Sequence, residues 1–291
     1  MNFEERALTL RCNDSWMYGI LSLPEQAASR GVLIVVGGPQ YRVGSHRQFT
    51  LLARHLASLG IPVLRFDCRG MGDSEGAPRT FEDLEDDLHC AIERFFEEAP
   101  ALNNLVIWGL CDAASAALFH AYRDRRITGL VLLNPWVRTD QGAAKTYLKH
   151  YYLTRLLDPE FWSKVWNGRF NYANAAQSLV KTVEKSLPGR KIANTSRDAT
   201  AEGGSCDFVS LPERMLDALS RYKGKILLIT SGNDLTAQEF LELVKGSREW
   251  QRLLAAPGVS RLNLPEANHT FSRRAWRDEV AVGTSDWIQS W

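Results

Sequence analysis

Residues 103–122 read NNLVIWGLCDAASAALFHAY, and this stretch decides the fold. Its first part, 104–108, is an apolar run typical of a strand that is buried on both faces of a sheet. Its second part, 112–122, is rich in small residues and predicts a helix. Only Gly109, Leu110 and Cys111 lie between the two, so the chain passes from a buried strand into a helix almost without a loop. This sharp strand-to-helix turn indicates an α/β architecture.

The alternation of short apolar strand, Gly- or Asp-rich turn and helical segment recurs on both sides of this stretch. The first two strands alternate in polarity and should pair antiparallel across the turn at 12–15, whereas the later strands are separated by helices. We therefore predict an α/β fold with a doubly wound, mostly parallel sheet and helices on both faces. The predicted strands are residues 5–11, 15–22, 31–36, 61–66, 104–108, 127–134, 225–230 and 259–264.

The alternation is interrupted between residues 137 and 222. We predict a core domain made of 1–136 and 223–291, and an inserted helical cap at 137–222 with a polar, mobile loop near 186–210. Residues 137–197 carry eleven Lys and Arg against four Asp and Glu, among many aromatic side chains. This basic surface either attracts an anionic substrate or is the solvated face of an amphipathic lid.

Composition excludes several classes of protein. The 35 Lys and Arg nearly balance the 34 Asp and Glu, which argues against a general nucleic-acid binder. Five widely spaced cysteines fit neither a disulfide framework nor a zinc site, and suggest reduced thiols in the cytoplasm. The apolar runs are too short to cross a membrane, and the charged N-terminus lacks the apolar core of a signal peptide. We expect a cytoplasmic protein without integral membrane association.

Cys111 is the candidate nucleophile. A nucleophile on so tight a turn adopts a strained backbone conformation, which requires small residues two positions before and after it, and Gly109 and Ala113 meet that requirement. The N-terminus of the following helix also favours a thiolate. The alternative is a buried structural cysteine.

A second segment, 72–76, reads GDSEG and fits the G-x-S-x-G pattern of a serine nucleophile letter for letter. It lies several residues after its strand, however, and is followed by EGAPRT, which does not predict a helix. Without the strand-turn-helix context Ser74 is not presented for attack, so we interpret it as a turn residue.

The base and the acid should come from the carboxyl edge of the sheet, where open α/β sheets place their sites. His269 follows the last predicted strand, and Asp234 follows the strand before it, which sets the chain order nucleophile, acid, base. Asp234 has an alternative role as the N-cap of the next helix. Asp140, just beyond the strand that ends at Asn134, is the alternative acid.

Acyl transfer also needs hydrogen-bond donors for the developing oxyanion. One should be the backbone N–H of Asp112, and the other should come from the loop at 37–40. Pro39 has no N–H, so the choice lies between Gly38 and Gln40, and we favour Gln40. The residues expected to contact the substrate are Gly38, Tyr41, Trp136 and Tyr151.

These motifs resemble the α/β-hydrolase superfamily over nearly the whole chain outside 137–222, and the resemblance implies the α/β-hydrolase fold. Two features depart from better-known relatives. Ala113 stands where cysteine-dependent relatives such as dienelactone hydrolases have glycine, and Gly37 begins the loop that starts with His-Gly in many others. The segments that carry the resemblance are GGPQ at 37–40, DCRGMGDSEG at 67–76, GLCDA at 109–113, SGND at 231–234 and ANH at 267–269.

Three segments resemble more narrowly the exosortase A system-associated hydrolase 1 family, bacterial proteins found beside exopolysaccharide and protein-sorting genes. They are GLCDAASA at 109–116, GGPQYRVGSHRQF at 37–49 and NPW at 134–136. The resemblance implies a link to such systems, but it does not define a substrate.

Taken together, the residues predict a Cys-dependent acyl hydrolase, an esterase or thioesterase, which forms an acyl-enzyme on Cys111. An acyltransferase with the same triad and a non-catalytic binding protein are the alternatives. The substrate would be a small-molecule or carrier-linked acyl compound. No cofactor, metal or nucleic-acid partner is expected, because the sequence contains no metal-ligand cluster or phosphate-binding loop. The oligomeric state stays open.

Overall fold

Strands in the described residues join into a single sheet. The computed structural model describes residues 1–38, 40–137 and 209–291. Within these ranges the strands are β1 (Phe3–Cys12), β2 (Ser15–Pro24), β3 (Arg30–Val35), β4 (Val63–Phe66), β5 (Asn104–Leu110), β6 (Ile127–Leu133), β7 (Lys225–Asn233) and β8 (Val259–Asn268).

The order across this sheet is β1-β2-β4-β3-β5-β6-β7-β8. The β1–β2 hairpin is antiparallel, and β2 also pairs antiparallel with β4, whereas every later pair is parallel. This arrangement confirms the predicted eight-stranded, mostly parallel sheet. The carboxyl ends of the parallel strands share one edge, so the loops that follow β3, β5, β7 and β8 lie on the same side of the molecule.

Strand β8 is longer than the sequence predicts. The pattern placed its end at Leu264, whereas the strand continues to Asn268. The register against β7 shifts between Ser231 and Asn233, and beyond that irregularity Asn233 pairs with Asn268. Because such an irregularity breaks the simple alternation of side chains, the polar residues of this extension resemble a turn in the sequence. The extension brings His269 next to the end of β7.

Helices cover both faces of the sheet. They are numbered along the described residues as α1 (Gln48–Ser58), α2 (Glu85–Glu98), α3 (Asp112–Ala121), α4 (Leu211–Arg221), α5 (Leu235–Gly246), α6 (Arg248–Leu254) and α7 (Arg274–Gln289). None of these helices combines the length and the apolar character that a bilayer-spanning segment needs.

The packing of each sheet face follows from the alternation of side chains along the strands. On one face, Phe49 of α1 and Trp287 of α7 join Trp108 of β5 in the main hydrophobic cluster. On the other face, Phe95 of α2 lies against Gly31, where a Cβ atom would come within 2.9 Å of its ring. The helices therefore hold β5, the central strand that leads into Cys111, between two apolar layers.

Helix α4 falls at the end of the range 137–222 that the sequence assigns to the cap. Its Arg214 guanidinium lies 4.9 Å from the ring centre of Phe119 on α3, and Arg221 lies 5.3 Å from that of Tyr122. These contacts attach α4 to the core, consistent with a compact unit made of Met1–Val137 and Pro212–Trp291. The remainder of the predicted cap, 138–208, lies outside the described residues.

Candidate active site

Cys111 occupies the turn between β5 and α3 and has the backbone angles φ 64° and ψ −123°. A non-glycine residue with positive φ is uncommon, and such strain persists only where the surrounding structure enforces it. Here the Cys111 N–H donates to the carbonyl of Leu133 at 2.8 Å, while its own carbonyl accepts from Ala114 at 3.1 Å and from Trp136 at 3.2 Å. Neighbouring strand and helix therefore hold the thiol at the apex of a tight elbow.

The requirement for small residues beside this elbow is visible in the packing. A Cβ atom on Gly109 would lie 2.6 Å from the carbonyl oxygen of Ala113, a distance that atoms do not tolerate. Ala113 itself is fully buried. The chain can therefore turn from β5 into α3 within one residue only because both positions carry minimal side chains, as the sequence predicts.

Asp234 follows β7 at the carboxyl edge of the sheet, and it combines two roles that the sequence offered as alternatives. One carboxylate oxygen, Oδ2, lies 2.8 Å from Nδ1 of His269. The carboxylate also accepts the N–H groups of Thr236 at 3.1 Å and Ala237 at 3.4 Å, which makes Asp234 the N-cap of α5. The acid that faces the imidazole is thus anchored by the start of a helix.

The loop that carries His269 is fixed at both ends. Asn268 donates to the hydroxyl of Ser272 at 2.8 Å and accepts the Ser272 N–H at 3.0 Å. Phe271, only 1% exposed, anchors the same turn in the core with a positive φ of 49°. The imidazole therefore projects from a short, closed loop at the end of β8.

The Cys111 side chain interacts with the imidazole of His269 and acts to raise its pKa. Because Nδ1 already faces Asp234, Nε2 is the nitrogen left to meet the thiol. The hydrogen bond to Asp234, followed by the contact with Cys111, outweighs the effect of burial and raises the pKa of His269 to about 10. The surroundings of the imidazole, above all the Asp234 carboxylate, thus favour an imidazolium.

In the structure the His269 imidazole is hydrogen-bonded to the Asp234 carboxylate and interacts with the Cys111 side chain. The runner-up acid, Asp140, lies outside the described residues, as does the predicted substrate contact Tyr151. Across the described ranges, no three His, Cys, Asp or Glu side chains gather as they would around a metal ion.

Two buried polar residues that sequence reasoning missed support the acid. Asn134, at the end of β6, has a φ of 43° and is fully buried. Its side-chain Nδ2 donates to the Ser231 hydroxyl at 2.7 Å, and its side-chain Oδ1 accepts the backbone N–H of Ser231 at 2.9 Å. These two hydrogen bonds connect the residue after β6 to a residue near the end of β7, and they fix the strand that leads to Asp234. The available signal was an asparagine directly after an apolar strand.

The two N–H groups that the sequence offers as the second oxyanion donor have different partners in the structure. The backbone N–H of Gln40, the favoured candidate, donates to the carbonyl of Gly38 at 2.9 Å. The N–H that does reach the elbow is that of Gly38, which donates to the Asp112 carboxylate at 2.9 Å. Of the two candidate donors, Gly38 therefore bonds to a residue of the elbow, whereas Gln40 bonds within its own loop.

The remaining predicted contacts differ in their surroundings. The backbone of Trp136 touches the elbow through its bond to the Cys111 carbonyl, and its own carbonyl accepts the Ser115 hydroxyl at 2.7 Å. Tyr41 is 47% exposed. Among the residues that the structure describes, no atom lies within 4 Å of a Cβ atom placed on Gly38.

The serine of the GDSEG segment is a turn residue, as predicted. The Ser74 hydroxyl donates to the carbonyl of Asp67 at 2.7 Å and accepts the N–H of Tyr18 at 3.0 Å. Gly70 and Gly72 adopt positive φ angles of 74° and 55° in the same turn. These bonds tie the loop after β4 to β2, and the serine is not positioned on a strand-to-helix elbow.

The sheet order, the elbow and the base at the carboxyl edge define an α/β-hydrolase. In agreement, the sequence model of the alpha/beta hydrolase family matches residues 32–282, so the chain belongs to this family. Solved structures of similar fold include the esterase Pf2001 of Pyrococcus furiosus, with a TM-score of 0.65, 16% identity and coverage of 99% of this chain and 93% of that one. Est1E of Butyrivibrio proteoclasticus, solved with ferulic acid bound, gives 0.60 at 14% identity, covering 97% of this chain and 98% of that one.

Curated relatives match over shorter stretches. The polyketide transferase grgF of a Penicillium species is 28% identical over 135 residues, which cover 45% of this chain and 42% of that protein. The acyltransferase drtE of Aspergillus calidoustus is 30% identical over 118 residues, or 38% of this chain and 37% of that protein. The chain thus matches less than half the length of these relatives.

Proposed function

We propose that the protein is a Cys-dependent acyl hydrolase that acts on an ester or thioester. The observation that carries this proposal is that the His269 imidazole is hydrogen-bonded to the Asp234 carboxylate and also interacts with the Cys111 thiol. A nucleophile, a base within hydrogen-bond reach and a group that orients the base are the three parts that covalent acyl transfer requires. The position of Cys111 on a strained elbow at the carboxyl edge of the sheet supports the same interpretation.

In the first half-reaction the Cys111 sulfur, as the thiolate of an ion pair with His269, attacks the acyl carbonyl carbon. A carbon–sulfur bond forms while the carbonyl electron pair moves onto oxygen, giving a tetrahedral oxyanion. This intermediate collapses, the bond to the leaving alcohol or thiol breaks, and the imidazolium of His269 gives its proton to the leaving group. The product is a thioester on Cys111, and Asp234 keeps the imidazole oriented throughout.

In the second half-reaction the neutral His269 accepts a proton from water as the water oxygen attacks the thioester carbonyl. The new tetrahedral intermediate expels the Cys111 thiolate and releases the carboxylic acid. The ion pair between Cys111 and His269 is then restored. No other reactant is needed, so the atoms and charges balance over the cycle.

A second candidate function is acyl transfer to an acceptor other than water. It is favoured by two of the relatives, which are named as a polyketide transferase and an acyltransferase. The triad chemistry is the same up to the thioester, and the outcome depends on whether an acceptor hydroxyl or thiol replaces water. The resemblance to exosortase A system-associated hydrolases supports a role beside exopolysaccharide or exosortase systems, and the basic range 137–197 suits an anionic acyl donor such as one linked to a carrier.

The decisive experiment is to trap the acyl-enzyme. Activated aryl esters and acyl thioesters of several chain lengths are mixed with the full chain, quenched in acid and analysed by peptide mass spectrometry. We expect the acyl mass on the Cys111 peptide in the wild type and its loss in Cys111→Ala. Cys90→Ala, which removes a partly buried thiol elsewhere, is the matched control and should acylate normally.

Turnover that survives Cys111→Ala would refute the proposal, and so would an acyl group on another residue. Adding candidate alcohols or thiols to the trapped thioester distinguishes the two functions. A hydrolase releases free acid at a rate that the acceptor does not change, whereas a transferase forms the acylated acceptor and loses its thioester faster. A protein that forms no acyl-enzyme with any donor would be a binding protein on a hydrolase scaffold.

A further inference from the structure

We propose that the side chain of Asp112 is a gate on the oxyanion hole, which it occupies in the free protein and must leave before an acyl group can react. The inference rests on the proposed function of Cys111 and extends it. It assigns to the residue after the nucleophile a role beyond its backbone N–H, namely control of the site that receives the substrate carbonyl oxygen.

The hydrogen bonds of this carboxylate carry the inference. Its Oδ2 accepts the N–H of Gly38 at 2.9 Å, and its Oδ1 accepts the N–H of Ala113 at 3.0 Å. The N–H of Asp112 itself acts to lower the pKa of this carboxyl group. The N–H groups of Asp112 and Gly38 are the pair that would stabilise an oxyanion on Cys111. One internal carboxylate therefore occupies the Gly38 donor of this pair.

The neighbouring loop is shaped to accept this carboxylate. A Cβ atom on Gly37 would lie 2.0 Å from Oδ1 of Asp112, so no larger residue fits beside the side chain in this position. Many relatives begin this loop with His-Gly, whereas this chain has Gly37 and Gly38. The difference from the His-Gly loop of those relatives has a physical reason, because only glycine at position 37 leaves the space that the Asp112 carboxylate fills.

The charges around Asp112 also bear on the gate. Burial, which is the largest effect, raises the pKa of this carboxyl group above its ordinary value, against the backbone hydrogen bonds and the charge of His269. Among the described residues, another titratable group that interacts with it is the buried Cys68, whose thiol pKa is raised in part by Asp112. A carboxylate in this position is held by N–H bonds, but it opposes any second negative charge at the same donors.

An oxyanion and a carboxylate cannot share the Gly38 donor, so the substrate carbonyl must displace Asp112. The reactive population is then only the fraction of molecules in which the side chain has left, and acylation is slowed by that fraction. Removing the side chain empties the hole. Replacing the carboxylate with an amide keeps a hydrogen-bond acceptor for Gly38 but weakens the bonds, because neutral pairs are weaker than charge-assisted ones.

The test measures how tightly a trifluoromethyl ketone binds and how fast the acyl-enzyme forms. The Cys111 sulfur adds reversibly to the ketone carbonyl, and the resulting oxyanion needs the same donors. We expect Asp112→Ala to bind the ketone about tenfold more tightly and to acylate about tenfold faster than the wild type. Asp112→Asn should shift both quantities in the same direction by a smaller factor. Asp286→Asn, which removes an exposed charge on α7, should change neither.

A fall in ketone affinity and acylation rate in both Asp112 variants, with wild-type Cys111 acylated normally, would overturn the gate and leave the proposed function intact. Unchanged values in both variants would overturn it as well. Failure of the wild type and of both variants to capture ketone or acyl group on Cys111 would refute the proposed function, and the gate with it. Thermal unfolding of each variant shows whether it is folded, and Asp112→Asn, which retains an acceptor for the Ala113 N–H, provides a second folded variant.

Discussion

The Oδ2 atom of Asp234 lies 2.8 Å from Nδ1 of His269, while the same carboxylate caps the helix that begins at Leu235. One side chain therefore links the orientation of the proposed base to the stability of α5. The geometry has a physical advantage, because a carboxylate fixed by two backbone N–H groups cannot rotate away from the imidazole. It also means that the two roles can be separated by choosing the substitution.

Asp234→Asn and Asp234→Ala should separate catalysis from capping. Asparagine is as good an N-cap as aspartate, but its neutral amide does not hold the imidazole in the required tautomer. We expect Asp234→Asn to lower kcat/KM about a thousandfold and to lose only the stability that the charged pair with His269 supplies, because the cap is kept. Asp234→Ala should lose comparable activity and, in addition, about 1 kcal/mol of stability because the cap is gone. Equal unfolding midpoints for the two variants would contradict the dual role.

Backbone strain at Cys111 predicts an unusual order of stability. A residue other than glycine with φ 64° and ψ −123° is strained by about 1–3 kcal/mol, and glycine relieves most of that strain despite its larger loss of chain entropy. Cys111→Gly should therefore be more stable than Cys111→Ala by about 1 kcal/mol in urea unfolding, although both are inactive. If alanine proves the more stable replacement, the elbow is not strained.

The raised pKa of His269 predicts how stability depends on pH. The folded protein holds the imidazole proton up to a pKa of about 10, whereas the unfolded chain releases it near 6.5. The contribution to stability is therefore complete below pH 6.5, declines between pH 6.5 and 10, and is lost above 10. The difference in unfolding free energy between the wild type and His269→Gln should shrink as pH rises through this window.

Cys111→Ala is a matched control for this pH dependence, because it removes one of the two groups that raise the pKa of His269 and leaves Asp234. We expect the decline in stability to begin near the same pH in this variant but to be smaller and to end at a lower pH. A wild-type curve parallel to that of His269→Gln from pH 6 to 10 would show that the imidazole has no raised pKa.

The bond between Asn134 and Ser231 predicts a link between a distant strand end and the acid. Asn134→Ala would leave the buried Ser231 N–H without its acceptor and should destabilise the protein by about 1–3 kcal/mol. Because β7 leads to Asp234, we expect Asn134→Ala to lower kcat/KM as well. Ser231→Ala keeps the hydrogen bond from the backbone N–H of residue 231 to Oδ1 of Asn134, so its loss of stability should be smaller. The stability of each variant is measured by urea unfolding, and its kcat/KM is measured without denaturant. Equal losses of stability in the two variants would show that the bond to the Asn134 side chain is not the important one.

Local patterns predicted most of the scaffold. The apolar run before Cys111 and the small residues after it are neighbours in the chain, so a strand, an elbow and a helix could be predicted from their order alone. The same holds for the hairpin of β1 and β2, whose register pairs Cys12 with Ser15 across the predicted turn. Strand β8 was predicted too short because the irregularity against β7 depends on a partner that is distant in sequence.

The candidate site was predicted in part for the same reason. Each member of the proposed triad follows its own strand, and parallel strands bring their carboxyl ends together. The preference for Gln40 over Gly38 as the second donor stays a prediction, because the partner of each N–H depends on the folded loop, in which Gln40 donates to Gly38 and Gly38 donates to Asp112. The position of the Asp112 side chain could not be predicted, since it depends on space beside Gly37.

The sequence by itself determined the element order and the residue at the elbow, because these follow from local periodicity and from the way strands alternate with helices. Only the tertiary structure decided which hydrogen-bond donors are free and which are occupied. The physical reason is that each N–H or carboxylate bonds to the partner that folding brings closest. For Asp112 that partner is Gly38, 74 positions away in the chain.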